Sequence, residues 1–186
     1  MPMRRTMIVA VPALAATALL SRPAAAVTRE SIKAQVGPAL DALERSNPAA
    51  KELAAKAKAV LVFPEIVKGG LGFGGSYGTG ALIENGNQVK GYYRTFSVSW
   101  GLQAGAQSYG YALYFMNEAA LAYLRKSGGW EIGVGPSIVV LDKGAAKNFS
   151  TTTAKGDIYA FIFDQQGLMA GVGLEGSKIS QFTPDS

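Results

Sequence analysis

After residue 27, apolar side chains recur first with the period of a helix. Four of them share one face of a predicted first helix: Ile32, Val36, Leu40 and Leu43. Thr28 is a suitable N-cap residue. Pro38 predicts a kink or a division into two short helices, because proline lacks the N–H that a helix interior requires. Asn47-Pro48 then predicts a new helix, with Asn as N-cap and Pro in the first turn, that continues to about residue 59.

From residue 59 the period shortens to two, which is typical of β-strands. Residues 59–63 form a short apolar run that ends at Pro64, and seven glycines lie between Gly69 and Gly80. Asn85-Gly86 predicts a hairpin turn, because both residues readily adopt positive φ angles. The strands expected after this turn are 89–98, 101–107, 111–116, 130–141, 156–163 and 168–174, with a loop at 142–156 and a turn at 164–167.

One short helix interrupts these strands, predicted at residues 118–126 behind the N-cap candidate Asn117. Helices followed by strands at hairpin spacing indicate an α+β fold. Glycine weakens an ordinary strand, so its repeated use indicates sharp bends and close backbone packing. We therefore expect one domain, in which N-terminal helices pack on a strongly curved, mostly antiparallel, glycine-rich β-sheet that is barrel-like or sandwich-like.

The first 26 residues have the pattern of a secretory signal peptide. Arg4 and Arg5 precede an apolar run over residues 7–20, and Ala24-Ala25-Ala26 supplies a cleavage site. The run is shorter than the roughly 20 residues that span a bilayer, which argues against a permanent membrane anchor. We therefore expect export to the periplasm or cell envelope, by the Sec or the twin-arginine route, and a mature domain of residues 27–186.

The amino-acid composition excludes several classes of catalytic and metal site. The chain has neither cysteine nor histidine, which excludes disulfides, thiolate and imidazole metal ligands, and Ser-His-Asp or Cys-His triads. Cleavage would lower the net charge from +5 to +2, because Arg4, Arg5 and Arg22 leave and 15 basic residues remain against 13 acidic ones. A general nucleic-acid surface loses its support. We expect a protein that is not an enzyme and has no metal or cofactor.

Two features of the sequence are typical of a cofactor site or a catalytic site, but their surroundings argue against both. Residues 70–75 match G-x-G-x-x-G, yet a strand rather than a helix is expected after them, so a dinucleotide site is not supported. Two carboxylates would suffice for glycoside hydrolysis, and a carboxylate hydrolase is a third hypothesis, although most acids occupy turn or cap positions. The acids outside the first helices are Glu65, Glu84, Glu118, Glu131, Asp142, Asp157, Asp164 and Glu175.

Basic and aromatic side chains suggest a membrane surface. Aromatic rings suit the headgroup region of a bilayer, and nearby cations attract anionic headgroups at about 1 kcal/mol each. The aromatic residues on neighbouring predicted strands, about half of them expected in the core, are Tyr92, Tyr93, Phe96, Trp100, Tyr109, Tyr111, Tyr114 and Phe115. The candidate lipid-binding cations, which could instead form a solvated surface, are Lys51, Lys56, Lys58, Lys68, Lys90 and Arg94. The candidate membrane-contact residues are Ile32, Val36, Leu40 and Leu43.

Several segments, in order, resemble the SYLF domain, also called the Ysc84-like domain. They are AVLVFPE at 59–65, VKGG at 67–70, GGSYGTG at 74–80, GLQAGAQ at 101–107, DIYAF at 157–161, GLMAGV at 167–172 and LEG at 174–176. The resemblance covers about residues 31–180 and implies lipid binding. Eukaryotic relatives bind phosphoinositides and some bind actin, with an N-terminal amphipathic segment implicated in membrane contact. Bacterial relatives are usually exported envelope proteins, for which an anionic bacterial phospholipid is the expected ligand and actin is not.

The leading hypothesis is a non-enzymatic, exported domain that binds an anionic phospholipid or phosphoinositide-type headgroup at a membrane surface. Apolar insertion would come from the N-terminal amphipathic segment or from surface aromatic residues, assisted by the lysines. The alternative is an envelope structural or protein-interaction module that pairs through a sheet edge and does not bind lipid.

Overall fold

Two helices precede the sheet: α1 (Arg29–Ser46) and α2 (Pro48–Ala54). The computed structural model describes residues 27–84, 88–126, 129–141, 156–167 and 176–186. The predicted signal peptide, residues 85–87 of the predicted turn, residues 142–155 of the predicted loop and the predicted strand at 168–174 lie outside these residues.

The predicted caps of the two N-terminal helices are confirmed. Thr28 forms a capping box with Ser31 at the start of α1, and the Asn47 side chain accepts hydrogen bonds from two backbone N–H groups at the start of α2. The predicted division at Pro38 does not occur, because α1 continues through it as one helix of 18 residues. Pro38 is exposed, and the buried residues on both sides of it hold one helix face against the sheet. The second helix ends at Ala54, earlier than predicted.

Within the described residues, the sheet has six strands, and one short helix lies between two of them along the chain. In chain order these elements are β1 (Ala59–Glu84), β2 (Gln88–Phe115), α3 (Glu118–Leu124), β3 (Trp130–Glu131), β4 (Ile138–Leu141), β5 (Ile158–Gly167) and β6 (Lys178–Phe182). The strand order is β3-β6-β2-β5-β4, and β1 pairs with β2. All pairings are antiparallel except that of β4 with β5. The predicted α+β fold with a mostly antiparallel sheet is confirmed.

A single long hairpin replaces several of the predicted strands. Strands β1 and β2 have 26 and 28 residues and pair from Ala59–Phe115 at one end to Glu84–Gln88 at the other. Pro64 does not end β1, because a bulge between Phe63 and Ile66 accommodates it. The strands predicted at 89–98, 101–107 and 111–116 are therefore parts of β2.

Glycines let this hairpin curl back on itself. A Cβ atom on Gly80 would lie 2.0 Å from the carbonyl oxygen of Val62, and one on Gly78 would lie 2.8 Å from that of Glu65. The last third of β1 therefore rests directly on its first third. The predicted strong curvature is confirmed, and its cause is contact between backbone segments that leaves no room for a side chain.

Two clusters of buried residues fill the two sides of the curled sheet. One lies inside the curl and beneath α3, and includes Leu61, Phe63, Leu82, Leu113 and Trp130. The other lies between the sheet and the N-terminal helices, and includes Ile32, Val36, Val62, Ala81 and Tyr114. The helices thus cover the outer face of the hairpin near its open end and near its closed end. The middle of the hairpin extends beyond the helices.

Candidate functional site

The middle of the hairpin carries an exposed apolar surface. Six large apolar side chains there are 48–83% exposed: Val67, Leu71, Phe73, Tyr77, Phe96 and Val98. We call this set the convex apolar surface. An exposed set of this kind on neighbouring strands typically marks an interaction site rather than ordinary surface variation.

The register places these side chains on one side of the hairpin. Tyr77 lies opposite Phe96 and Gly75 lies opposite Val98, and opposing residues of an antiparallel pair project to the same face. Val67 and Leu71 are separated by an even interval, as are Phe73 and Tyr77, so the members of each pair share a face. The register shift between Leu71 and Phe73 lies at the bend that joins the two pairs. Trp100 is opposite Phe73 in the backbone register.

A tight bend makes this face convex. A Cβ atom on Gly70 would lie 2.3 Å from the carbonyl oxygen of Phe73 and 2.5 Å from Cα of Gly74. Gly70 alternates with Leu71 and Phe73, so its missing side chain belongs to the inner side of the bend. Leu71 and Phe73 therefore project outward at the bend itself, where the surface is most accessible.

The inner side of the same segment is polar. The hydroxyl oxygens of Ser76 and Ser97 are 2.7 Å apart, and both residues lie on the face opposite Tyr77 and Phe96. Tyr109 hydrogen-bonds to Ser76, while burial raises the pKa of its phenol. Thr95 is also buried. Apolar groups thus point outward and hydrogen-bonded polar groups inward, the reverse of an ordinary half-buried strand in water.

Cations border the convex apolar surface on the β6 side. Arg94 lies two residues from Phe96 on the same face, and Lys178 of β6 lies directly opposite Phe96. Both side chains are exposed. Glu131 of β3 is opposite Lys178 and adds one negative charge to this border. Sequence reasoning included Arg94 but missed Lys178, because the strand that carries it was not predicted.

The other predicted lipid-binding cations lie elsewhere. Lys68 is half-buried and alternates with Val67, so it lies on the inner side. Lys90 occupies a bulge near the closed end of the hairpin. Lys51, Lys56 and Lys58 are exposed in or just after α2. The structure therefore does not bring the six residues together on one face.

The predicted membrane-contact residues are in the core. Ile32, Val36 and Leu43 are at most 3% exposed, and Leu40 packs against them. They could reach a bilayer only if α1 left the sheet, so this structure does not support their predicted role. Of the eight aromatic residues considered from the sequence, five are buried: Tyr93, Tyr109, Tyr111, Tyr114 and Phe115.

Two of the acids outside the first helices have structural partners, Glu84 and Asp157. Arg125 Nη2 pairs with Glu84. Asp157 accepts hydrogen bonds from the Ser137 backbone N–H at 3.0 Å, the Ser137 hydroxyl at 2.8 Å and the Asn117 amide at 2.8 Å. These bonds hold the pKa of Asp157 below its usual value. Asn117 in turn caps α3, so this group fastens the α3 start to β4 and β5.

Comparison with protein families shows a match for most of β2, the C-terminal strand of the hairpin, and the residues after it. Residues 96–184 match the Ysc84 family, whose description is "Las17-binding protein actin regulator". The match covers slightly less than half of the chain and shows that this part is similar to the Ysc84, or SYLF, family. No curated protein matches the chain. The family match includes Phe96, Val98 and Lys178, whereas the β1 side of the convex apolar surface lies before it.

The Ysc84 family, to which residues 96–184 are similar, is associated with actin or lipid binding. Within the described residues, no helix combines the length and the apolar character that crossing a membrane would need. The convex apolar surface is the feature of the described residues that can serve either kind of association.

Proposed function

We propose that this Ysc84-like chain is an exported, non-enzymatic protein that binds anionic phospholipid at a membrane surface in the periplasm or cell envelope. The observation that carries the proposal is the convex apolar surface with Arg94 and Lys178 at its border. Export rests on the signal-peptide pattern of residues 1–26.

The size of the apolar surface favours a membrane over a second copy of the chain. Three half-exposed aromatic rings and three exposed aliphatic side chains present on the order of 600 Å², at the upper end for a monomeric protein. A stable dimer buries roughly 800 Å² on each partner. A convex surface also presents its apolar groups poorly to a rigid partner, whereas acyl chains and headgroups adapt to it.

The alternation of the hairpin supports shallow insertion. Phe73 and Leu71 at the bend would enter the interface between headgroups and acyl chains, where each buried side chain contributes about 1.5–3 kcal/mol. Backbone pairing between β1 and β2 continues on both sides of the bend, with a register shift between Leu71 and Phe73, so the unsatisfied hydrogen-bonding groups are confined to the bend itself, where shallow insertion keeps them at headgroup level. Arg94 and Lys178 would remain at headgroup level and attract anionic lipid.

Co-sedimentation with vesicles tests the proposal. Wild-type protein should pellet with phosphatidylglycerol–phosphatidylcholine vesicles, more strongly as the anionic fraction rises and less strongly as salt rises. Phe73→Ser should weaken partitioning by roughly tenfold, because one ring no longer enters the interface. Val98→Ser should also weaken it.

Val140→Ser is the matched control for Val98→Ser. Val140 is 46% exposed on β4, outside the convex apolar surface, and Val98 is 55% exposed. Equal losses in the two variants would contradict the proposed surface. Failure of the wild-type protein to pellet with any vesicle mixture would refute lipid binding altogether.

A protein partner is the second candidate, because the family description names Las17 binding. In that case the same surface would be covered by a protein in the envelope, and vesicles would not compete for it. Absence of pelleting together with unchanged stability of Phe73→Ser would favour this alternative.

A further inference from the structure

A second surface feature lies on the N-terminal helices, which the proposed function does not use. A cleft of about 270 Å³ is lined by Asp41, Glu44, Arg45 and Lys51. Three of these residues come from the last turns of α1, and Lys51 comes from α2. The cleft therefore combines two negative and two positive charges in a small space and has no net formal charge.

These charges do not neutralise each other by direct pairing. Within the described part of the chain, none of the four residues makes an ion pair at 4.0 Å or less. Asp41 and Arg45 are four apart on one helix, a spacing that ordinarily permits such a pair. Two acids and two bases thus face one volume with their hydrogen-bonding capacity available to a ligand.

The charges around the half-buried Glu44 agree with this arrangement. Burial, followed by the neighbouring Asp41 carboxylate, raises the pKa of Glu44, and the Lys51 ammonium acts in the opposite direction. A positive group placed between the two carboxylates would relieve their repulsion.

Tyr114 adds an unsatisfied polar atom to the same region. Its side chain is fully buried, and its hydroxyl has no hydrogen-bond partner among the residues that the structure describes. Burial chiefly, and then the charge of Glu44, raise the pKa of this phenol, so the hydroxyl lies within electrostatic reach of the cleft. Buried hydroxyls are nearly always paired. This one does not line the cleft, so it is not itself a contact for a ligand there.

We propose that this cleft binds a small zwitterion, with its ammonium group at Asp41 and Glu44 and its phosphate or carboxylate group at Arg45 and Lys51. Phosphoethanolamine has this chemistry, either as a soluble solute or as the headgroup of a phospholipid. The two acids can bind the ammonium group of such a ligand, and the two bases can bind its phosphate or carboxylate group. The formal charges of the four side chains sum to zero, which suits a ligand without net charge.

The arrangement of the two acids argues against a hydrolytic site in the cleft. Asp41 and Glu44 are three residues apart on one helix face, with their Cβ atoms roughly 5–6 Å apart. Both therefore approach a ligand from the same side. The two carboxyl groups of a glycoside hydrolase instead flank the bond to be cleaved.

NMR titration of the protein with sn-glycero-3-phosphoethanolamine tests the inference. We expect saturable shifts of the backbone amides around residues 41–51, and glycerol or an equal ionic strength of KCl should not reproduce them. The double variant Asp41→Asn/Glu44→Gln should raise Kd roughly tenfold, and Arg45→Gln/Lys51→Gln should do the same from the other half of the cleft. Glu30→Gln/Lys33→Gln, on the exposed start of α1, is the matched control and should bind as the wild type does.

Phosphatidylethanolamine vesicles distinguish the two sources of the ligand. If the vesicles compete with the soluble compound, the cleft takes a lipid headgroup; if they do not, it takes a free solute, and either result supports the zwitterion site. Absence of saturable shifts, or equal shifts in the Asp41→Asn/Glu44→Gln variant, would overturn the inference. Phe73→Ser should leave this titration unchanged. A failure of zwitterion binding can therefore be distinguished from a failure of the membrane-binding proposal.

Discussion

The substitution Gly80→Ala tests the close backbone contact that curls the hairpin. Gly80 is absent from the glycines with positive φ, so alanine can adopt its backbone conformation. In an open strand position, alanine would stabilise the protein by about 0.5–1 kcal/mol relative to glycine. The sign of the effect therefore depends on what the new methyl group meets.

The added methyl group meets backbone that cannot move alone. Its carbon would lie 2.0 Å from the Val62 carbonyl oxygen and 2.8 Å from Phe63 Cδ1, whereas even a close C–H···O contact needs about 3.3 Å. Val62 is paired with Ala112 in the sheet, so relief requires the two layers to separate. Overpacking costs about 1–3 kcal/mol and occasionally more, and we expect a net loss of about 2–3 kcal/mol.

Urea denaturation followed by circular dichroism measures this loss. With a slope of about 2 kcal/mol/M, the midpoint should fall by about 1 M. Gly69→Ala is the matched control, because it lies in the same strand and, among the described residues, its added methyl group has one neighbour within 4 Å, the Gly105 carbonyl oxygen at an ordinary contact distance of 3.8 Å. It should raise stability by about 0.5–1 kcal/mol. A Gly80→Ala midpoint equal to or above that of wild type would refute the account of the curl.

Two further predictions concern hydrogen bonds that fasten the elements together. Asp157→Asn should lower Tm at pH 7, because the carboxylate that accepts from Ser137 and Asn117 is lost. The pKa of Asp157 is lower in the folded protein than its ordinary value of 3.8, so its stabilising contribution is present above about pH 4 and is lost as pH falls through the folded pKa. The Tm difference between wild type and variant should therefore shrink in melts at pH 3, and a constant difference would contradict this reasoning. Asn47→Ala should cost about 1 kcal/mol in urea denaturation through loss of the α2 cap, while Asn47→Asp should retain most of the stability; equal losses would show that capping is not the cause.

Local signals in the sequence were sufficient for the caps and the fold class. Asn47 and Asn117 cap their helices as predicted because a cap depends on groups two or three residues away. Pro64 misled the strand assignment, since a bulge can place proline within a long strand when the partner strand adapts. Pro38 misled the helix assignment because packing of both halves of α1 on the sheet outweighs one lost hydrogen bond.

The candidate surface was harder to predict because burial depends on where the helices end. Ile32 and Phe96 are both apolar residues of amphipathic elements, yet Ile32 is covered by the sheet and Phe96 is 53% exposed. Lys178 joins Phe96 through pairing of residues 82 positions apart. Such proximity follows from long-range register, which no local pattern contains.

Fluorescence of a single environment-sensitive label tests membrane contact by the convex apolar surface most directly. The chain has no cysteine, so Leu71→Cys and Lys33→Cys each provide one labelling site for an NBD dye. Leu71 is 83% exposed at the bend, whereas Lys33 is exposed on α1. On addition of phosphatidylglycerol-containing vesicles, we predict a blue-shifted, brighter emission from the label at position 71 and little change at position 33. A blue shift at position 33 with none at position 71 would contradict the account, because it would place the N-terminal helix, and not the hairpin, in the bilayer.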